Sequence, residues 1–86
     1  MIKSGATQAK YVTNCKLRLR AIQYLNNLGD SPIYRLVMYR TARGMDYGVV
    51  VNVGDKISVW NAFKEKIDQF TLVDFQSRLI VDAEPA

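Results

Sequence analysis

The sequence predicts a small α+β domain: an antiparallel sheet of about four strands with one or two helices packed on one face. Three observations predict it. The chain of 86 residues is long enough for one thin core. Two runs rich in aromatic and β-branched residues flank a glycine-containing turn, as in a hairpin. Apolar residues at helical spacing follow that hairpin. We expect a flexible arm over residues 1–9, one domain over 10–82 and a tail over 83–86.

The first element after the arm carries two periodicities. Residues 15–21 alternate between apolar and basic, as in a half-exposed strand. Residues at helical spacing run through the same stretch: Cys15, Leu19, Ile22, Leu25 or Asn26, and Leu28. Gly29 stands where a helix often ends. We predict an extended segment over 10–15 and a helix over 16–28, and the alternative is one long strand as far as Ala21.

The next two elements form the predicted hairpin. Asp30, Ser31 and Pro32 break the chain before it. Residues 33–41 are predicted as the first strand because they are rich in aromatic and β-branched residues. Residues 47–53, which contain four valines, are the second strand, and a loop containing glycine joins the two.

A second helix is predicted to begin near Ser58, a candidate N-cap. Apolar residues follow at intervals of three, four and three: Trp60, Phe63, Ile67 and Phe70. On the other face Lys64 and Asp68 lie one turn apart and can pair. This spacing is typical of an amphipathic helix whose apolar side packs on a sheet.

The last predicted element is a strand over residues 73–82, where apolar and polar side chains alternate. A helix is the alternative, because several of the apolar residues also fit one helical face. The resulting order is strand, helix, strand, strand, helix, strand. It places both helices on one face of the sheet and leaves the other face open to solvent.

The composition excludes several kinds of site. The chain has no histidine, so catalysis or metal binding by imidazole is excluded. Its single cysteine, Cys15, rules out an intrachain disulfide and a cysteine-based zinc cluster. No carboxylate pair and no glycine-rich phosphate loop is evident, so we expect no metal, no cofactor and no enzymatic activity. The apolar runs are short and the N-terminus has no hydrophobic signal core, so we expect a cytoplasmic protein.

The basic residues are concentrated in the first half of the chain. The whole chain has a net charge of +4, with +7 over residues 1–43 and −3 over residues 44–86. Such a concentration favours an anionic partner, and the tyrosines of the same region can stack on bases while arginines hold phosphates. On the first hairpin strand Arg35, Tyr39 and Thr41 share one face, which we expect to be the exposed one. The predicted nucleic-acid-binding residues are Tyr11, Lys16, Arg18, Arg20, Arg35, Tyr39, Arg40, Arg43 and Tyr47.

Two short motifs are similar to those of RNA-recognition-motif domains. Residues 10–15 (KYVTNC) resemble the family's first-strand motif, and residues 47–51 (YGVVV) resemble part of its third-strand motif. The resemblance implies a ferredoxin-like fold in which Tyr11 and Tyr47 stack on the bases of a single strand. This chain departs from the third-strand motif at Asp46, where the family has glycine.

The sequence therefore predicts a small, non-enzymatic binding protein for single-stranded DNA or RNA. The alternative is a protein-interaction module with no nucleic-acid role, either a homodimer or an inhibitor or adaptor of an acidic protein. Strands rich in Val and Met beside a modest core favour such edge pairing, and the basic surface favours an acidic partner.

Overall fold

The computed structural model describes the backbone of residues 5–82 and the side chains of residues 15–80. The elements are α1 (Gly5–Leu28), β1 (Arg35–Thr41), β2 (Gly44–Val53), β3 (Ile57–Asn61), β4 (Lys66–Phe70), α2 (Leu72–Arg78) and β5 (Leu79–Asp82). The strands form one antiparallel sheet in the order β4-β3-β2-β1-β5. The predicted α+β class with one antiparallel sheet is confirmed. The ferredoxin-like order is not found, because a helix comes first and four consecutive strands follow.

Helix α1 includes the helix predicted over 16–28 and extends well before it. The extended segment predicted over 10–15 is wrong, since α1 runs through it, and residues 5–9 of the predicted arm also belong to α1. A helix wins over the strand alternative because its sheet-facing stripe is apolar from Leu17 to Leu28. Residues 1–4 of the arm and the tail over 83–86 lie outside the described residues.

Strands β1 and β2 confirm the predicted hairpin, and their register pairs Thr41 with Gly44. The helix predicted from Ser58 is wrong, because β3 and β4 form a second hairpin there. The helical spacing has a simple origin in this hairpin: Trp60 and Ile67 are direct cross-strand partners, and so are Ile57 and Phe70. Apolar residues that face each other across a short turn recur at intervals that imitate a helix.

The final segment contains both structures that its sequence allowed. Its first half is the short helix α2, which begins after Thr71, whose hydroxyl accepts a hydrogen bond from the Asp74 amide at 3.1 Å. Its second half is β5, which pairs with β1 at the edge of the sheet. The strand predicted over 73–82 is therefore correct only from Leu79 onward.

The sheet has an apolar cluster on each face. The cluster on the α1 side consists of Leu17, Ala21, Leu36, Val49, Trp60 and Ala62. The cluster on the α2 side consists of Val37, Tyr39, Val50, Ile57, Val59 and Phe75. The prediction that both helices pack on one face is wrong. Neighbouring residues such as Leu36 and Val37 are both apolar, so both faces of the central strands need cover.

Candidate functional site

Tyr39 is the predicted site residue whose placement differs most from expectation. Its side chain is 0% exposed, although the sequence predicted that its face of β1 is open to solvent. Alternation along β1 shows which residues share a face but not which face is covered. The face of Tyr39 lies under α2, where the Phe70 and Phe75 rings stand 5.9 and 6.1 Å from its own. Tyr39 is therefore a core residue without a free ring face for a base.

The Tyr39 hydroxyl belongs to a group of hydrogen-bonded side chains that we call the polar cluster: Tyr39, Thr41, Arg43, Asp46 and Asn61. Asn61 Nδ2 donates to the Tyr39 hydroxyl at 2.8 Å and to Asp46 Oδ2 at 3.0 Å. Asp46 Oδ2 also accepts from Thr41 Oγ1 at 3.1 Å, and Asp46 Oδ1 accepts from the Arg43 guanidinium. Both Asp46 and Asn61 are buried, so the cluster gives partners to polar groups that have lost water.

The polar cluster connects the two hairpin turns at one end of the sheet. Asn61 Oδ1 accepts hydrogen bonds from the backbone amides of Phe63 at 2.9 Å and Lys64 at 2.8 Å, which fixes the β3–β4 turn. Arg43, in the β1–β2 turn, places its guanidinium 3.6 Å from the centre of the Phe63 ring. The predicted phosphate ligand Arg43 is thus engaged by Asp46 and Phe63 within the fold.

Burial in the α2-side cluster raises the pKa of the Tyr39 phenol from 10.0 to about 12, because the phenolate loses solvation. The hydrogen bond from Asn61 acts in the opposite direction and is the weaker influence. Between pH 10 and about pH 12, the Tyr39 phenol of the unfolded chain loses its proton while that of the folded chain keeps it. We therefore expect the free energy of unfolding to fall as the pH rises from 10 towards 12.

Urea unfolding at pH values on both sides of 10 measures this dependence, and Tyr39→Phe is the matched variant, since it keeps the ring and removes the ionisable group. In the variant, the free energy of unfolding should fall less steeply between pH 10 and pH 12, because the contribution of Tyr39 is gone. Identical alkaline profiles for the two proteins would contradict the assignment.

The other predicted stacking residues do not form a common surface with Tyr39. Tyr47 lies on the opposite side of the sheet, where it packs half-buried against the α1-side cluster. Tyr24 stacks on Trp60 with 3.9 Å between ring centres and an angle of 4° between the ring planes. The side chain of Tyr11 lies outside the described residues. Within residues 15–80 the tyrosines that the sequence selected are therefore not brought together.

The ion pairs of the fold use most of its described acidic groups. Lys64 Nζ lies 2.6 Å from Asp68 Oδ2, Arg78 Nε lies 3.0 Å from Asp74 Oδ1, and Arg43 pairs with Asp46. Arg20 donates to the Ala62 carbonyl at 2.8 Å and lies 3.9 Å from Glu65 Oε2. Among residues 15–80, basic side chains without an ion pair are Lys16, Arg18, Arg40, Lys56 and Lys66. Acidic side chains without one are Asp30 and Asp55.

Three of these unpaired cations, Lys16, Arg18 and Arg40, lie on the α1 side of the sheet, and we call them the basic surface. Arg40 alternates with Tyr39 along β1 and so points to the α1 side. Arg20 reaches Ala62 at the end of β3, so the opposite flank of the helix, which carries Arg18, faces β1 and Arg40. Lys16 lies on the same flank of the helix as Arg20. The predicted residue Arg35 is exposed on the α2 side of β1, apart from these three.

The side of α1 that faces away from the sheet was not identified from the sequence. Leu19, Gln23 and Asn26 are exposed there, and we call them the outward face. Leu19 is 58% exposed, whereas Leu17 is 3% exposed. Neither amide side chain has a hydrogen-bond partner in the described part of the chain. Their spacing of four and three residues places them on one side of a helix. This pattern was obscured by the alternation of apolar and basic residues over 15–21.

An apolar groove of about 440 Å³ opens on the α2 side, near the start of β1 and the end of β2. Its lining includes Ile33, Val53, Leu72 and Phe75, and Arg35 is the one charged residue among the described lining residues. Val53 and Leu72 are 53% and 54% exposed. The groove offers apolar contact and few polar groups, so it does not have the lining of a polar small-molecule site.

Neither α1 nor α2, as far as the structure describes them, has the length and hydrophobicity needed to cross a membrane. The described side chains also contain no group of three or more metal-ligand residues placed to hold an ion. Comparisons with protein-family models, with curated proteins and with solved structures give no match to this chain.

Proposed function

We propose that this protein is a non-enzymatic nucleic-acid-binding protein that contacts phosphates through the basic surface of Lys16, Arg18 and Arg40. The observation that carries the proposal is the uneven pairing of charges. Asp46, Asp68 and Asp74 are neutralised by partners inside the fold, while the three cations of the basic surface have no ion-pair partner among the described side chains of residues 15–80. Unpaired Lys and Arg side chains release counterions when they bind phosphates, which is the main source of affinity for nucleic acids.

Support for the proposal comes from charge and not from base stacking. Tyr39, which the sequence predicted on the exposed face, is buried and cannot stack on a base. The groups that would contribute to nucleic-acid binding are therefore guanidinium and ammonium groups. Guanidinium groups bind phosphate oxygens through two parallel hydrogen bonds, so Arg18 and Arg40 are expected to contribute most.

The double variant Arg18→Gln/Arg40→Gln tests this proposal. We expect about tenfold weaker binding to a labelled oligonucleotide at low salt. We also expect the slope of log affinity against log salt to become shallower by about 2, one for each lost phosphate contact. Fluorescence anisotropy titrations at several salt concentrations measure both quantities.

The matched control is Lys56→Gln/Lys66→Gln, which removes the same charge from exposed, unpaired residues at other places on the molecule. It should change the affinity less than threefold. Equal losses in the two double variants would show that binding follows net charge alone. An absence of binding to any nucleic acid at low salt would reject the function.

The protein-interaction alternative stays a prediction, and the apolar groove is the observation that favours it. Its apolar lining, which includes the exposed side chains of Ile33, Val53 and Leu72, is suited to an apolar segment of a partner protein. Sedimentation of the purified protein alone distinguishes the homodimer form of this alternative, because a stable dimer without bound nucleic acid is expected only there.

A further inference from the structure

Helix α1 exposes a polar ridge along its outer side. Successive residues of a helix are rotated by about 100°, so Leu17, which faces the sheet, has Leu19 and Asn26 almost opposite to it. The three residues of the outward face follow at spacings of four and three and form one continuous stripe. An exposed leucine followed by two amides that have no hydrogen-bond partner among the described residues is not explained by packing within the fold.

Two cations of α1, Lys16 and Arg18, lie on opposite flanks of this stripe. Lys16 and Arg18 immediately precede and follow the buried Leu17, so they project about 100° to either side of it. Lys16 is exposed, Arg18 is half-buried, and neither has an ion-pair partner among the described residues. A helix with a neutral polar ridge between two positive flanks is complementary to a groove that has a phosphate chain along each wall.

The shape of α1 selects one kind of groove. The helix has 24 residues and is therefore about 36 Å long, and its described packing is on the sheet side alone. The major groove of B-form DNA, about 12 Å wide, admits a helix of this diameter. The major groove of A-form RNA is too narrow and deep for side chains to read.

The chemistry of the outward face fits base edges in that groove. The amide of Asn or Gln accepts a hydrogen bond from the N6 amino group of adenine through its oxygen and donates one to N7 through its NH2 group, in a paired contact. A leucine side chain makes apolar contact with the thymine methyl group in the same way as other apolar residues do. Leu19, Gln23 and Asn26 together would therefore favour A·T pairs over G·C pairs.

We propose that α1 enters the major groove of duplex DNA, with its outward face against A·T base pairs and with Lys16 and Arg18 on the flanking phosphates. This inference rests on the proposed function and specifies its ligand as B-form duplex. Single strands and duplex RNA are then secondary ligands that are held by charge alone.

The test compares four labelled ligands of equal length by fluorescence anisotropy at one salt concentration: A·T-rich duplex DNA, G·C-rich duplex DNA, duplex RNA and single-stranded DNA. We expect the A·T-rich duplex to bind at least tenfold more tightly than the duplex RNA. The variant Gln23→Ala/Asn26→Ala should reduce the preference for A·T-rich over G·C-rich duplex by about five- to tenfold and leave the salt slope unchanged.

The control variant Asn52→Ala/Gln76→Ala removes two exposed amides of the same types elsewhere and should leave the preference unchanged. Thermal unfolding by circular dichroism shows that each variant is folded before it is titrated. Equal affinity for duplex DNA and duplex RNA, tighter binding of the single strand, or an unchanged preference in Gln23→Ala/Asn26→Ala would overturn the inference. The first two results leave the proposed function intact. If the unmodified protein binds none of the four ligands, both the proposed function and this inference are rejected.

Discussion

Replacing Gly48 with alanine is expected to lower the free energy of unfolding by about 3 kcal/mol, because the site is already filled. A Cβ atom at this position would lie 2.7 Å from the Trp60 carbonyl oxygen, 2.8 Å from Val59 Cγ1 and 2.9 Å from the Tyr39 ring. The first contact is with the backbone of the neighbouring strand, and the other two are with fully buried side chains. None of the three can move away without disturbing the β2–β3 pairing or the α2-side cluster.

Gly54→Ala is the matched control, because nothing lies within 4 Å of a Cβ there and the residue has an ordinary backbone conformation. Its unfolding free energy should stay within about 0.5 kcal/mol of the unmodified protein. Urea denaturation followed by the fluorescence of Trp60, the only tryptophan, measures both variants. Similar changes in the free energy of unfolding for the two variants would contradict the prediction, because they would show that the neighbours of Gly48 can accommodate a Cβ atom at little cost.

Asn61→Ala is the second substitution with a large expected effect, again about 3 kcal/mol of lost stability. The Asn61 side chain donates to Tyr39 and Asp46 and accepts from the amides of Phe63 and Lys64. Its removal leaves the buried Asp46 carboxylate with fewer donors and the β3–β4 turn without its side-chain acceptor. A buried polar group without a partner costs more than the hydrogen bond itself contributed.

The control for this substitution is Asn52→Ala, an exposed asparagine of β2 whose loss should be nearly neutral. The two variants can be compared by thermal unfolding at neutral pH. A second readout is specific to the polar cluster: amide hydrogen exchange at Phe63 and Lys64 should become faster in Asn61→Ala and stay unchanged in Asn52→Ala. Equal exchange in both variants would contradict the role of Asn61 in the turn.

The hairpin of β1 and β2 could be predicted because its signals are local. Strand-forming residues and a glycine turn are adjacent in the sequence, and the same glycine, Gly44, adopts a positive φ of 118° in the structure. The hairpin of β3 and β4 could not be distinguished from a helix, because Trp60 and Ile67 pair across a turn at a distance in sequence that also equals two helical turns.

The placement of the candidate site residues was predictable only in part. Lys16 and Arg40 are exposed, as charged residues usually are, and Arg18 is half-buried. Tyr39 could not be placed, because alternation is symmetric between the two faces and α2, which covers one of them, was predicted as a strand. The outward face of α1 was hidden because the sequence grouped Leu19 with the apolar residues Ile22 and Leu28 of the predicted helix, whereas Leu19 is 58% exposed.

The burial of the sheet by α1 also has a consequence for synthesis on the ribosome. Helix α1 is made before the strands, and the strand residues it covers, Val49 and Trp60, follow its last residue, Leu28, by 21 and 32 residues. The nascent helix must therefore keep Leu17 and Ala21 in water until β2 and β3 have left the exit tunnel. At an elongation rate of about 5–20 residues per second this interval lasts on the order of seconds. During that time, chaperones or other chains can reach the apolar stripe of α1.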